Sequence, residues 1–166
     1  MSPSYLDAKE KAYQQYDIAA HLLQVTFLMT KDNKLFLGIA HNLFNSVQAT
    51  MTAILQYERD LQLVSGFNEN DFQSKFNTFR NKSVRRNQIS GSIVSLIQEL
   101  KEIVDLHQKS PMVFQRGASV VICDKQYELK TLTARDIAQY MNQTKEFMDV
   151  MEKVMKLKWL APKKPF

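Results

Sequence analysis

The sequence predicts an all-α protein: an antiparallel helical bundle of about five helices with a small β-hairpin inserted before the last helix. Three observations carry this expectation. The stretch from Leu35 to Tyr57 is the longest run in the chain without a Lys, Arg, Asp or Glu. Four glycines and four prolines in 166 residues leave room for long, unbroken helices. Between Met112 and Leu132 the helical recurrence of apolar residues disappears, and it returns only after Thr133.

The charge-free stretch is read as the central helix. Phe36, Ala40, Leu43, Val47, Met51, Ile54 and Leu61 recur mostly at spacings of three and four, which puts them on one face. Ile39, Asn42, Ser46, Ala49 and Ala53 form an adjacent stripe of mostly small residues that lets a neighbouring backbone come close. A helix uncharged nearly all round is buried on several sides. The length also fits a membrane span, but His41, Asn42, Asn45, Gln48 and Gln56 would carry unsatisfied polar groups into hydrocarbon. No membrane partner is therefore expected. No signal peptide is recognised, and a single cysteine, Cys123, excludes an internal disulfide, so the expected compartment is the cytoplasm.

The remaining elements follow in order. Tyr5 to about Met29 reads as the first helix, with Ala12, Tyr16, Ala19, Leu23 and Phe27 inward. The short link Lys31-Asp32-Asn33 makes it an antiparallel neighbour of the second helix, Lys34 to Gln62, for which Asp32 or Asn33 can cap. Ser65-Gly66 ends that helix. A third begins with Asn68 as cap, Asp71 at the third helical position and Phe67 with Phe72 as a hydrophobic staple. Phe72, Phe76 and Phe79 then share one face and are assigned to the core rather than to base stacking. Ser90-Gly91-Ser92 leads into a fourth helix, Ile93 to about Lys109, stopped by Ser110-Pro111. Ser119 to Cys123 and Gln126 to Thr131 read as the two strands of the hairpin, with Asp124-Lys125 between them. A lone hairpin is marginal, so it must lie on the bundle. Thr133 and Asp136 form a capping-box start for the fifth helix, which runs to about Lys158 with Ile137, Met141, Thr144, Met148, Met151 and Met155 on its face. Four methionines there are gap filling in the core or an adaptable partner surface, and core is the stronger reading. Trp159 is expected to pin the end of that helix. Residues 1–160 form one domain, and 161–166 a basic tail.

Few constellations in the chain could carry chemistry. His21, His41 and His107 sit singly on three expected helices, with no His-Glu-x-x-His pattern and no cysteine pair, so no metal is assigned. No glycine-rich phosphate loop or nucleophile elbow occurs, and no cofactor is expected. Glu99 with Glu102, and Glu146 with Asp149, each place two acids on one helix face, as in all-α magnesium-dependent nucleotide pyrophosphohydrolases. The two pairs are too far apart in the chain for that family, and Lys101, Lys145 and Lys153 lie close enough to neutralise them.

The basic cluster is the remaining signal. Arg80, Asn81, Lys82, Arg85 and Arg86 fall within seven residues at the end of the third helix. Guanidinium groups and an amide one helical turn apart suit phosphate oxygens and a ribose or base edge. The plainer reading is a solvated helix end whose cations complement the helix dipole.

A long uncharged second helix in an all-α domain, followed by Arg80-Asn81 near a helix boundary, resembles the HEPN superfamily. That resemblance spans about the first 109 residues and the last helix, and leaves the hairpin outside. It implies a dimer and, in many members, metal-independent RNA cleavage in which a histidine follows the Arg-Asn pair after a short gap. Here Arg85 stands at that position. Arginine stays protonated at any working pH, so it cannot take a proton from a ribose hydroxyl. The resemblance therefore implies a non-cleaving relative that binds RNA, nucleotide phosphate or a partner protein. A dimeric interaction or scaffolding domain without a nucleic-acid ligand is the alternative, and the acidic-face pyrophosphohydrolase the third.

Overall fold

The computed structural model describes residues 3–110 and 112–160, with side chains as far as Lys156. Pro111, the side chain of Trp159 and the basic tail 161–166 lie outside the described residues. Among the described residues, five helices and a three-stranded antiparallel sheet make up the fold. Helix α1 spans residues 4–30: Ser4–His21, a π-helical segment Leu22–Thr26 and a last turn Phe27–Thr30. Helix α2 is Leu35–Asp60. Helix α3 spans residues 72–87: Phe72–Thr78, a second π-helical segment Phe79–Ser83, and Val84–Asn87. Helix α4 is Gly91–Lys109. Strands β1, Met112–Arg116, β2, Ser119–Cys123, and β3, Leu129–Leu132, precede helix α5, Ala134–Leu160.

The charge-free stretch is the axis of the bundle, as its composition requires. Phe36, Ile39, Ala40, Leu43, Val47, Met51, Ala53, Ile54 and Leu55 are fully buried, and α2 packs against α1, α3, α4 and α5. Its stripe of small residues brings α1 close. Ser46 Oγ donates to the Ala12 carbonyl at 2.8 Å, a contact between a side chain and a neighbouring backbone that a larger residue would prevent. Ala12 and Ala19, the smallest members of the expected α1 stripe, are completely buried against it. The methionines of α5 are core: Met148 and Met151 are fully buried, and Met141 and Met155 nearly so. The far end of α5 is tied down by polar contacts. Tyr57 Oη donates to the Met155 carbonyl at 3.0 Å, while Glu152 accepts from Tyr13 Oη at 2.9 Å and pairs with Lys9 at 2.8 Å. Burial, then the bond to Glu152, pushes the Tyr13 phenol up to about 12.

Local starts and stops differ in detail from expectation. The Thr133–Asp136 box forms reciprocally, with the Thr133 N–H donating to Asp136 Oδ2 at 3.0 Å and the Asp136 N–H to Thr133 Oγ1 at 3.1 Å. The cap of α3 is Asp71, whose Oδ2 accepts from the Ser74 N–H at 2.9 Å, and not Asn68. Asn68 instead closes an Asx turn on the Asn70 N–H, which delays the helix by three residues.

The expected hairpin is present and gains a third strand. Strand β1 pairs with β2 from Met112↔Cys123 to Arg116↔Ser119, through a tight turn in which Gly117 takes φ +61°. Strand β2 pairs on its other side with β3, from Val120↔Leu132 to Cys123↔Leu129. Asp124 Oδ1 accepts from the N–H groups of both Gln126 and Glu128, so the second turn is longer than Asp124-Lys125 and β3 starts at Leu129 rather than Gln126. The meander lies on the bundle through Val120, Ile122 and Leu132, all fully buried in the common core. Asn33 Nδ2, from the α1–α2 link, donates to the Gly117 carbonyl at 3.2 Å and anchors the first turn.

Candidate nucleic-acid interface

Helix α3 divides the basic cluster by burial. Its inward face is Phe76, Phe79 and Ser83, all buried, so the residues between them turn outward. Arg80, Asn81, Lys82 and Arg85 are exposed. The π-helical segment carries about one residue more per turn than an α-helix, so positions five apart, such as Arg80 and Arg85, fall closer in angle than on a regular helix. Among the described residues Arg80, Lys82 and Arg85 take part in no ion pair.

Arg86, expected in the phosphate-contacting set, is placed differently from the other cations of the cluster. It lies half-buried over Glu58, a fully buried carboxylate on α2. Arg86 Nη1 donates to Glu58 Oε2 at 2.6 Å and Nη2 to the Leu63 carbonyl at 2.7 Å. Ser83 Oγ and Asn87 Nδ2 complete the shell of Glu58, the latter at 3.2 Å. Glu58 lies beyond the charge-free run, and its negative charge inside the bundle demands a cation from α3. Sequence reasoning had no signal for this, since residues 58 and 86 are separated by a loop and a helix.

Arg80 borders a groove of about 430 Å³ between α3 and α4. Its guanidinium lies 5.6 Å from the centroid of Phe76, and Phe76 stacks on Phe72 with centroids 5.6 Å apart and planes 9° from parallel. Lys101 from α4 sits 5.2 Å from the Phe72 centroid, while Glu99 and Glu102 face the same groove. These aromatics are core, as expected, since Phe76 is buried and Phe72 is packed against the core cluster.

Of the two acid pairs, only Asp149 meets one of the lysines expected to neutralise them in an ion pair among the described residues. Lys101 pairs with Asp105 at 2.8 Å and Lys145 with Asp149 at 2.6 Å. Among the described residues no group of three or more His, Cys, Asp or Glu side chains could hold a metal ion. Cys123 is buried in β2. No described helix is long and apolar enough to cross a membrane.

One pairing invisible to sequence spacing is that of His41 and His107. His41 Nε2 lies 3.0 Å from His107 Nδ1, with the rings edge-on at 73°. The pair joins the first half of α2 to the last turn of α4. Burial, and then the charge of His107, pushes the His41 imidazole below its ordinary value. Two imidazoles sharing one hydrogen bond favour a state with at least one of them neutral. From Gly91, the residue that opens α4 just past the basic cluster, His107 is about 24 Å along the helix at 1.5 Å per residue.

Comparisons of the chain with protein-family models, with characterised proteins and with solved structures find no match.

Proposed function

We propose that the chain is a non-catalytic, HEPN-like helical module that binds RNA or nucleotide phosphate on the outer face of α3. Arg80, Lys82 and Arg85 contact phosphate oxygens, Asn81 offers an amide to a ribose or base edge, and Arg86 holds the helix in place from beneath. The observation that carries this reading is the division just described: one guanidinium is used by a buried carboxylate, and three neighbouring cations stand in solvent free of ion pairs among the described residues. Arg85, where the resemblance expects a histidine, cannot accept a proton, which supports binding without cleavage by that route.

The test is fluorescence anisotropy with a short single-stranded RNA over a range of salt. Wild type should bind at low salt and lose affinity steeply as salt rises. Each phosphate contact removed should flatten the log–log slope by about 0.7, so Arg80→Ala with Arg85→Ala should flatten it by roughly twice that. No affinity at low salt, or an unchanged slope in the double variant, removes the reading.

A second reading, a self-associating interaction domain, is favoured by α1. Its outer surface leaves Ile18, Val25, Leu28 and Met29 exposed, Met29 by 80%. Leu28 and Met29 lie three and four residues past Val25, on one side of the last turns of the helix. Light scattering of wild type against Leu28→Glu with Met29→Glu decides it. A concentration-dependent mass lost in the variant supports a dimer through α1, and a monomer at all concentrations excludes it.

A further inference from the structure

Helices α1, α2 and α3 enclose a recess of about 160 Å³, on a different side of α3 from the exposed arginines. Lys11 comes from α1, Asn45, Gln48 and Thr52 from α2, and Lys75 from α3; no carboxylate lines it. Lys75 is the unusual member. It is only 6% exposed, yet among the described residues it has no salt-bridge partner. Its ammonium donates to Thr52 Oγ1 at 3.2 Å. Thr52 gives its own proton to the Gln48 carbonyl at 2.8 Å, so it meets Lys75 with a lone pair. An ammonium has three N–H donors, and the other two find no acceptor among the described residues.

The nearby acids are engaged elsewhere. Glu69 accepts from Gln56 Nε2 and from Arg59, each at 2.9 Å, and Asp71 caps α3. Burial, reinforced by the charge of Lys11 and opposed by the more distant Glu69 and Asp71 carboxylates, holds the Lys75 amine below its ordinary value. A buried cation without a direct ion pair is costly, and a chain that only needed to fill this space could do so with methionine or leucine. Two ammonium groups and two amides, one N–H of Asn45 already on Gln15 Oε1 at 3.4 Å, form the donor set of an oxyanion site around a recess lined by no carboxylate. The volume admits several waters or one tetrahedral oxyanion, and is too small to enclose a sugar and base as well.

We infer that this recess binds a single phosphoryl group, as inorganic phosphate or as the terminal phosphate of a nucleotide whose remainder stays outside. Lys75 supplies the buried charge, Lys11 closes the site from the rim, and Asn45 and Gln48 orient the remaining oxygens. The site is independent of the outer face of α3 and does not rest on the RNA-binding reading.

The experiment is thermal unfolding of the full chain titrated with inorganic phosphate, against chloride at matched ionic strength. A ligand that binds only the folded state raises the melting temperature by mass action, on the order of 5–10 °C for a chain of this size at a hundredfold excess over Kd. Lys75→Met should melt no lower than wild type without phosphate, because it removes an unpaired buried charge, and should lose the phosphate response. Lys11→Ala, at an exposed position, should keep its melting temperature and respond more weakly. It keeps the test decisive if Lys75→Met fails to fold. Adenosine 5′-monophosphate should act like phosphate, and adenosine should not. Arg80→Ala with Arg85→Ala should retain the full phosphate response, which separates this site from the RNA-binding face. An absent shift in wild type, or equal shifts in wild type and Lys11→Ala, overturns the inference.

Discussion

Arg85 and Arg86 are neighbours in sequence and opposites in situation. Truncating Arg86 leaves Glu58 charged and buried with only Ser83 and Asn87 as donors. Breaking one side of such a pair costs about 3–5 kcal/mol, so Arg86→Ala should lower the denaturant midpoint sharply. Arg80→Ala and Arg85→Ala, at exposed positions, should each stay within about 0.5 kcal/mol of wild type. Chemical denaturation of the three variants checks this, and equal effects would deny the division between support and surface. His41 gives a pH prediction at the same scale. Its folded pKa lies below its unfolded value, so below pH 6.5 the unfolded chain binds the proton first. The stability associated with neutral His41 is therefore present above pH 6.5 and lost as pH falls through the folded pKa. Melting temperature should drop between pH 7.5 and pH 5, and His41→Gln should drop less over the same interval. Parallel curves for the two proteins would show that the imidazole pair carries no such linkage.

Among the elements, α3 shows best what could be read from the sequence and what could not. The Phe72, Phe76 and Phe79 spacing marks its buried face. Its start is ambiguous, because Asn68 and Asp71 are both good caps and the choice depends on which backbone N–H each reaches. Asp71→Ala should cost about 1 kcal/mol, and Asn68→Ala less, by urea titration; the reverse order would restore the earlier start. The insertion before α5 is a similar case. Strand β2 is legible from Val120, Val121 and Ile122, while β1 carries exposed Met112, Phe114 and Gln115 and no alternation that marks a buried face. The signal for β1 was the turn at Gly117, which needs positive φ. The candidate site was legible only as composition. Four cations close in the chain are visible, but the carboxylate that claims one of them, and the recess around Lys75, exist only once α1, α2 and α3 are packed together. The same is true of His41 and His107, brought within 3.0 Å from 66 residues apart.

At the level of the whole molecule, the position of α2 makes a claim about cooperativity. Although α5 also lies directly on α1 and α4, a helix that meets all four others carries most of the packing between them. Ile54 is fully buried within it. Ile54→Ala removes apolar contact and leaves a space that the rigid surroundings fill only in part, at about 2–5 kcal/mol. For a chain of this length that lowers the melting temperature by something on the order of 10 °C. The shape of the transition matters more than its position. If α2 is the common axis, unfolding stays all-or-none in the variant, and the calorimetric and van't Hoff enthalpies agree in both proteins. If instead the meander and α5 form a unit that survives without α2, the variant unfolds in two steps and the two enthalpies part. Scanning calorimetry of wild type and Ile54→Ala distinguishes the two outcomes, and a split transition would mean that the core seated on the charge-free helix is two cores in contact.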